Sequence, residues 1–279
     1  MPRISLVVCV YQERDLLVRL LGAVAGGCDE VVVIHDGPDT HDVRSLVEAA
    51  GGRFIAAGRR GSLEGQSPFA WAQARYDWIL RLDADEIPSE EMNVWLAQFR
   101  QAPEPPGNVS GYTCTWPMWN GRQAVSKKIF SGRIFLFHKN RVRFFGLVEQ
   151  VPLAEGSYES LPLTLHHQPR RKSYGLKNVL LRKQAWRWRE IIARSLLGKP
   201  TDLPCWRWSQ ETWPAEWEPI RQRPLRTAFS RLVLGTVRTL RYQWREEGRI
   251  FPLAALANPV HHALICLKYW QLRRQNNRR

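Results

Sequence analysis

The strongest constraint on this chain's fold is an alternation of short apolar runs and helical repeats over the first hundred residues. Ile4–Val10 is apolar at nearly every position, as in a strand covered on both faces. Asp15 to Ala25 follows with Leu16, Leu17, Leu20, Leu21 and Val24 at helical spacing, and Gly26 and Gly27 close it. Glu30–His35 (EVVVIH) is a second strand, stopped by Asp36, Gly37 and Pro38. Val43–Ala50 is predicted to be a helix, Arg53–Ala56 a short strand, Gly58–Ser67 a polar loop and Pro68–Arg75 another helix. DWILRL, Asp77–Leu82, is a strand that runs straight into Asp83. Ser89–Gln101 is a helix with Ser89 as its N-cap and Glu90 and Glu91 in its first turn.

Such alternation predicts an α/β fold: a mostly parallel sheet with helices on both faces. Ligands of such sheets collect beyond the carboxyl ends of the strands. Three polar clusters fall at those ends: Tyr11–Glu13, His35–Asp39 and Asp83–Glu86. From Gly111 the pattern shifts to shorter β segments, Gly111–Trp116, Gly132–His138 and Arg141–Phe145. After Pro169 the chain is predicted to be helical, over Ser173–Leu197 and Pro224–Glu247, with a Pro/Trp loop between.

Leu82-Asp83-Ala84-Asp85-Glu86 is the most informative segment. Two carboxylates at i and i+2 just past a strand suit a hard divalent ion, Mn2+ or Mg2+, that keeps waters and binds phosphate oxygens. Such an ion offsets charge developing on a diphosphate. A bare D-x-D also occurs in solvated turns; its place after a strongly apolar strand, level with two other polar clusters, favours a site.

ISLVVCVYQERDLL, EVVVIHDGP and DWILRLDADEIPS, in this order, resemble the family-2 inverting glycosyltransferases of the GT-A (Rossmann-like) fold. FSGRIFLFHKNRVRFFGLVEQV and LPLTLHH resemble the subgroup that adds sugars to lipopolysaccharide core and other bacterial surface glycans. The resemblance covers roughly Ile4 to His167. It implies a catalytic domain over 1–168, with a nucleotide-sugar-binding part at 1–101 and an acceptor-side part at 110–168. It implies that Tyr11 and Glu13 hold the base and ribose, that Asp36 reads the base edge, and that Asp83 and Asp85 form the metal and diphosphate motif. Glu149 is implied as the general base and His166 as a metal or phosphate neighbour. The donor implied is a nucleotide-sugar, UDP-sugar first, and the acceptor a glycan or a lipid-linked sugar. Beside these roles stand plainer ones: Tyr11 as core packing, Glu149 ion-paired to Arg141 or Arg143, and His166 as a structural hydrogen-bonding residue. The sequence departs from the family pattern at His35, Ser67-Pro68 and Val148.

Charge divides the chain. Met1–Ser160 carries 17 Lys/Arg against 19 Asp/Glu, and Leu161–Arg279 carries 24 against 7. Eight of the thirteen tryptophans lie in that basic part: Trp186, Trp188, Trp206, Trp208, Trp213, Trp217, Trp244 and Trp270. Arg stems and Trp rings suit a water–lipid boundary. The expectation for 169–279 is therefore a helical, basic extension that associates with an anionic membrane surface, on the cytoplasmic side. Packing of the same helices against the catalytic domain is the competing reading. Ile250–Leu267 carries no charge, but Asn258, Pro259, His261 and His262 interrupt it, so a spanning helix is not expected. No signal peptide is visible, and five cysteines without a C-x-x-C suggest neither a disulfide framework nor a zinc site.

Two other functions compete with sugar transfer. A nucleotidyltransferase usually opens with a Gly-rich basic phosphate loop, where this chain has Tyr11-Gln12-Glu13. A nucleic-acid or membrane-binding module on an inactive transferase body would use the Arg and aromatic residues, but no nucleic-acid-binding signature is present, and none is expected as a partner.

Overall fold

The computed structural model describes all residues except 25, 118, 125, 127–131, 170–175, 199–203, 209–213 and 279. Two compact units result: Met1–Arg171 with Pro204–Trp208, and Lys172–Leu203 with Ser209–Arg279.

The first unit is α/β. Its elements run β1 (Ile4–Val10), α1 (Arg14–Ala23), β2 (Glu30–Asp36), α2 (Val43–Ala49), β3 (Arg53–Ala57), α3 (Leu63–Gln73) and β4 (Trp78–Arg81). Then come β5 (Glu86–Pro88), α4 (Glu90–Gln101), β6 (Val109–Thr115), β7 (Arg133–His138), β8 (Val142–Arg143), β9 (Leu153–Ala154) and β10 (Ser157–His167). Among the described residues, eight strands form one sheet in the order β3-β2-β1-β4-β7-β6-β10-β5. The β3-β2-β1-β4 half is parallel. Beyond it β7 runs antiparallel to both β4 and β6, so the whole sheet is mixed.

Side-chain alternation along β1 divides the core. Ile4, Leu6, Val8 and Val10 join α1 and α4 residues such as Leu17, Leu20, Leu96 and Phe99 on one face. Val7 points to the other face, with Ile34, Trp71, Ile79 and Phe137. The helix expected from Pro68 begins earlier, at Leu63, because Ser62 caps it by accepting from the Gly65 N–H at 3.2 Å. Pro68 then sits inside the helix, at the expense of one intrahelical bond.

A partly buried ion pair ties α4 to the sheet. Asp29 accepts from the Ile4 N–H at 2.9 Å and from Arg100 through Nε at 3.0 Å and Nη2 at 2.6 Å. Burial opposes the Asp29 charge, but the Arg100 fork and the Ile4 amide outweigh it and hold its carboxyl below the usual aspartate range. A depressed folded pKa means stability that is present above the unfolded value of about 4 and lost as pH falls through the lower folded value. Asp29→Asn is therefore expected to cost about 1–3 kcal/mol in urea unfolding at neutral pH. The deficit should shrink in acid; a pH-independent deficit would contradict the assignment.

Pro204–Trp208 belongs to the first unit although segments of the second flank it in sequence. Phe144 and Trp206 exchange backbone hydrogen bonds at 2.9 Å in both directions, and the Trp206 indole donates to Lys139 O at 2.8 Å. The Trp206 ring meets Trp71 edge-on at 6.0 Å.

The second unit is helical: α5 (Leu176–Leu181), α6 (Lys183–Leu197), α7 (Glu218–Gln222), α8 (Pro224–Glu247) and α9 (Pro252–Asn276). The start of the helix expected over Ser173–Leu197 lies outside the described residues, and the rest is broken at Arg182 into α5 and α6. α9 continues through Pro259, which is buried within it. Among the described residues, no helix is long and apolar enough to cross a membrane. The basic-region tryptophans do not share one environment. Trp206 and Trp208 lie in the first unit, Trp217 is buried, Trp186 and Trp244 are exposed, and Trp213 lies outside the described residues.

Candidate active site

Parallel pairing of β2, β1 and β4 brings their carboxyl ends to one edge. Tyr11–Glu13, His35–Gly37 and Leu82–Asp85 emerge there. Glu13 folds back on its own loop, its Oε2 accepting from the N–H groups of Tyr11 at 2.8 Å and Gln12 at 2.9 Å. That carboxylate shapes the turn carrying Tyr11. Over the Tyr11 ring lies the exposed Arg59 guanidinium, 4.3 Å from the centroid.

Beside Tyr11, at 6.2 Å between rings, sits the fully buried His35. Its Nδ1 is 2.9 Å from Gly37 O; a carbonyl only accepts, so Nδ1 carries the proton. Asp36 is also buried, and both its oxygens are engaged. Oδ1 accepts from the Arg60 N–H and the Gln66 amide, each at 2.6 Å, and Oδ2 accepts from the Gly61 N–H at 2.9 Å. In this structure Asp36 anchors the loop 58–62 and the start of α3.

The turn after β4 is closed at both ends. Asp83 O accepts from the Glu86 N–H at 2.9 Å, and Glu86 Oε2 accepts from the Asp83 N–H at 2.8 Å. Glu86 is fully buried and takes the Arg133 fork, with Nε and Nη2 both at 2.8 Å. Burial opposes the Arg133 charge, but Glu86 and Asp83 more than offset it and hold the guanidinium above the usual arginine range. With Glu86 spent on Arg133, Asp83 is left with a looser contact, 3.4 Å from Nη2, and its side chain stays 42% exposed. Asp85 faces His167, Oδ2 to Nε2 at 3.3 Å, and the His167 ring lies 4.4 Å from that of Trp116.

The neighbour of Asp85 is thus His167, where His166 was expected. β10 pairs antiparallel with β5, matching His166 to Ile87 and His167 to Glu86. Adjacent strand residues point to opposite faces, so His166 and His167 lie on different sides of β10. Among the described residues, no three His, Cys, Asp or Glu side chains are grouped to hold a metal by themselves. A hard cation here would take one or two carboxylate oxygens from Asp83 and Asp85 and the rest from phosphate and water, the usual manner for Mg2+.

Sequence inspection missed a second tier of charge behind this pair. The Arg81 guanidinium projects from the end of β4, its Nη1 buried and without a hydrogen-bond partner. Burial, and behind it the Arg133 charge, lowers its pKa, while Asp83, Glu64 and Glu86 oppose the shift. Glu64, in the first turn of α3, is pushed up by burial, against Arg81 and a hydrogen bond from the Glu149 N–H. Cys9 is driven to about 12 by burial, with Asp83 adding to it, so its thiol is inert near neutrality. A charged residue inside WILRL was a readable signal for Arg81; Glu64 had none, since its segment read as a loop.

Glu149 is exposed at the tip of the turn Gly146–Gln150, where Gln150 N–H donates to Leu147 O at 3.1 Å. Its φ of 67° is a left-handed conformation rare for a side chain of this kind. Arg141 pairs with Glu104 and Arg143 with Glu155. A chain of contacts therefore links the β2 end to this turn: Asp36 holds the loop 58–62 and Gln66 of α3, and Glu64 in the first turn of α3 holds the Glu149 backbone.

The family described as "Glycosyl transferase family 2" matches residues 5–148, just over half of the chain. An uncharacterized glycosyltransferase of Rickettsia felis is 34% identical over 92 residues, 33% of this chain and 32% of that protein. A counterpart in Rickettsia typhi is 32% identical over 92 residues, 33% of this chain and 31% of that protein. The match thus spans about a third of the length of these curated relatives. Among solved structures, the mannosyltransferase PcManGT from Pyrobaculum calidifontis, in complex with GDP-Man and Mn2+, is 16% identical. Its TM-score is 0.48, covering 96% of this chain and 87% of that one. Residues 1–349 of S. aureus TarS are 14% identical with a TM-score of 0.44, covering 98% and 92%.

Proposed function

Since this chain belongs to glycosyl transferase family 2, we propose that it moves a sugar from a nucleotide-sugar donor, a UDP-sugar first, to a bacterial surface glycan or lipid-linked acceptor, with inversion. The observation that carries this proposal is the pair Asp83 and Asp85 at the β4 exit. Their side chains stay 42% and 23% exposed, while Glu86 beside them holds Arg133 at 2.8 Å and leaves Asp83 only a looser contact at 3.4 Å. They would hold a divalent cation, Mn2+ or Mg2+, which when bound offsets charge on the diphosphate leaving group.

The chain's own groups supply the rest. Tyr11, held by Glu13 and covered by Arg59, offers a flat face at the β1 end for the donor base. Asp36 serves the donor through the loop it anchors. The acceptor oxygen bonds to the anomeric carbon as the bond to the diphosphate oxygen breaks and its electron pair leaves with the diphosphate. Glu149 takes the acceptor hydroxyl proton as general base. The sugar passes through an oxocarbenium-like state. The basic helical unit associates peripherally with the cytoplasmic face of a membrane, near a lipid-linked acceptor.

A thermal-shift screen of UDP-, GDP-, dTDP- and CMP-sugars with and without Mn2+ tests the proposal. One donor class is expected to raise the melting temperature in an Mn2+-dependent manner, by mass action on the native state. No shift with any donor would overturn it.

A further inference from the structure

α8 turns an unusual surface outward. Leu225, Phe229, Val233 and Val237 recur every four residues and are 48%, 71%, 41% and 39% exposed; Trp244, two turns on, is 64% exposed. At 100° per residue these five fall within one third of the helix circumference. Helical spacing places Arg238, Arg241 and Arg245, all exposed, along one edge of that stripe. No exposed position of the helix is acidic; Glu246 and Glu247 are half-buried.

The opposite face has its partner. Thr227 and Ala228 are buried there, the Thr227 hydroxyl donates to Pro219 O of α7 at 2.8 Å, and Gly235 lies against Pro259 of α9. α7 and α9 therefore account for the inner face, while the apolar stripe stays exposed.

We propose that this outward face of α8 lies in the plane of an anionic lipid bilayer; the idea rests on the membrane association proposed above and names the surface responsible. Charge complementarity selects the occupant. The region from Leu161 on carries 24 basic against 7 acidic residues, so a second copy would set arginine against arginine. An anionic bilayer accepts both parts at once. The apolar stripe enters the acyl boundary while the arginines reach lipid phosphates along one edge. From Leu225 to Arg245 the helix offers about 30 Å of such contact.

Co-sedimentation of the full chain with phosphatidylcholine vesicles, with and without phosphatidylglycerol, tests the proposal. Binding should need phosphatidylglycerol and weaken as salt rises. Phe229→Asp combined with Val233→Asp should lower it about tenfold or more. Arg238→Gln with Arg241→Gln should flatten its salt dependence. Melting temperature checks that each variant folds. If the wild type binds and the Asp double variant binds equally well, the α8 surface is wrong while membrane association stands. If the wild type binds neither vesicle, both ideas fail. Dimers in solution that the Asp variant splits, or RNA binding that it abolishes, would reassign the face and overturn the proposal.

Discussion

Asp85→Asn is expected to lower Mn2+-dependent donor hydrolysis by about a hundred- to a thousandfold, the scale of losing one preorganised electrostatic contact to a leaving group. The substitution keeps the shape of the side chain and removes its charge. Its fold contribution is small: the side chain's ion-pair partner is His167 at 3.3 Å, while the hydrogen bond to the Gln168 N–H comes from the Asp85 backbone carbonyl, which the variant keeps. The melting temperature should therefore hardly move. Glu86→Gln offers the contrast. That carboxylate is fully buried and takes three hydrogen bonds, so its loss should appear in stability first. Hydrolysis by Asp85→Asn at the wild-type rate would remove the acidic pair from the mechanism.

Gly146→Ala should destabilise the first unit by about 4 kcal/mol or more in urea unfolding, at the far end of the range for single substitutions. Two effects coincide there. The φ is 73°, which an L side chain rarely adopts, and an added Cβ would stand 1.9 Å from Pro204 O and 2.9 Å from its carbonyl carbon. Neither contact is a flexible side-chain end that can swing aside. Gly51→Ala separates the two effects: φ is 72°, but nothing lies within 4 Å, so only the conformational cost of about 1–2 kcal/mol remains. Equal losses in the two variants would show that the Pro204 contact contributes nothing.

What the sequence disclosed follows locality. β1 and β2 are continuous apolar runs, and α4 carries its own cap, Ser89, which accepts from the Met92 N–H at 3.3 Å. Each is specified by neighbours along the chain. The acidic pair was legible for the same reason, because strand and turn are adjacent. α3 was misplaced because Pro68 reads as a helix start, whereas the Ser62 cap lies six residues upstream. β10 was harder: Ser157–His167 mixes exposed polar residues and a proline, and its partners are β6 and the three-residue β5. Its register decides whether His166 or His167 meets Asp85, and a one-residue step inverts the answer. The tier of Arg81, Glu64 and Arg133 comes from three separate elements and becomes visible only when the sheet assembles them.

Pro204–Trp208 has a practical corollary for dissecting the molecule. The polypeptide leaves the α/β unit at 171, returns for five residues, and leaves again. No single cleavage can isolate that unit intact. Ending translation at 171 would strip Phe144 of both backbone bonds to Trp206 and leave the Gly146 turn without the segment it abuts. The α/β unit is thus completed by residues encoded within the stretch that a simple division would discard.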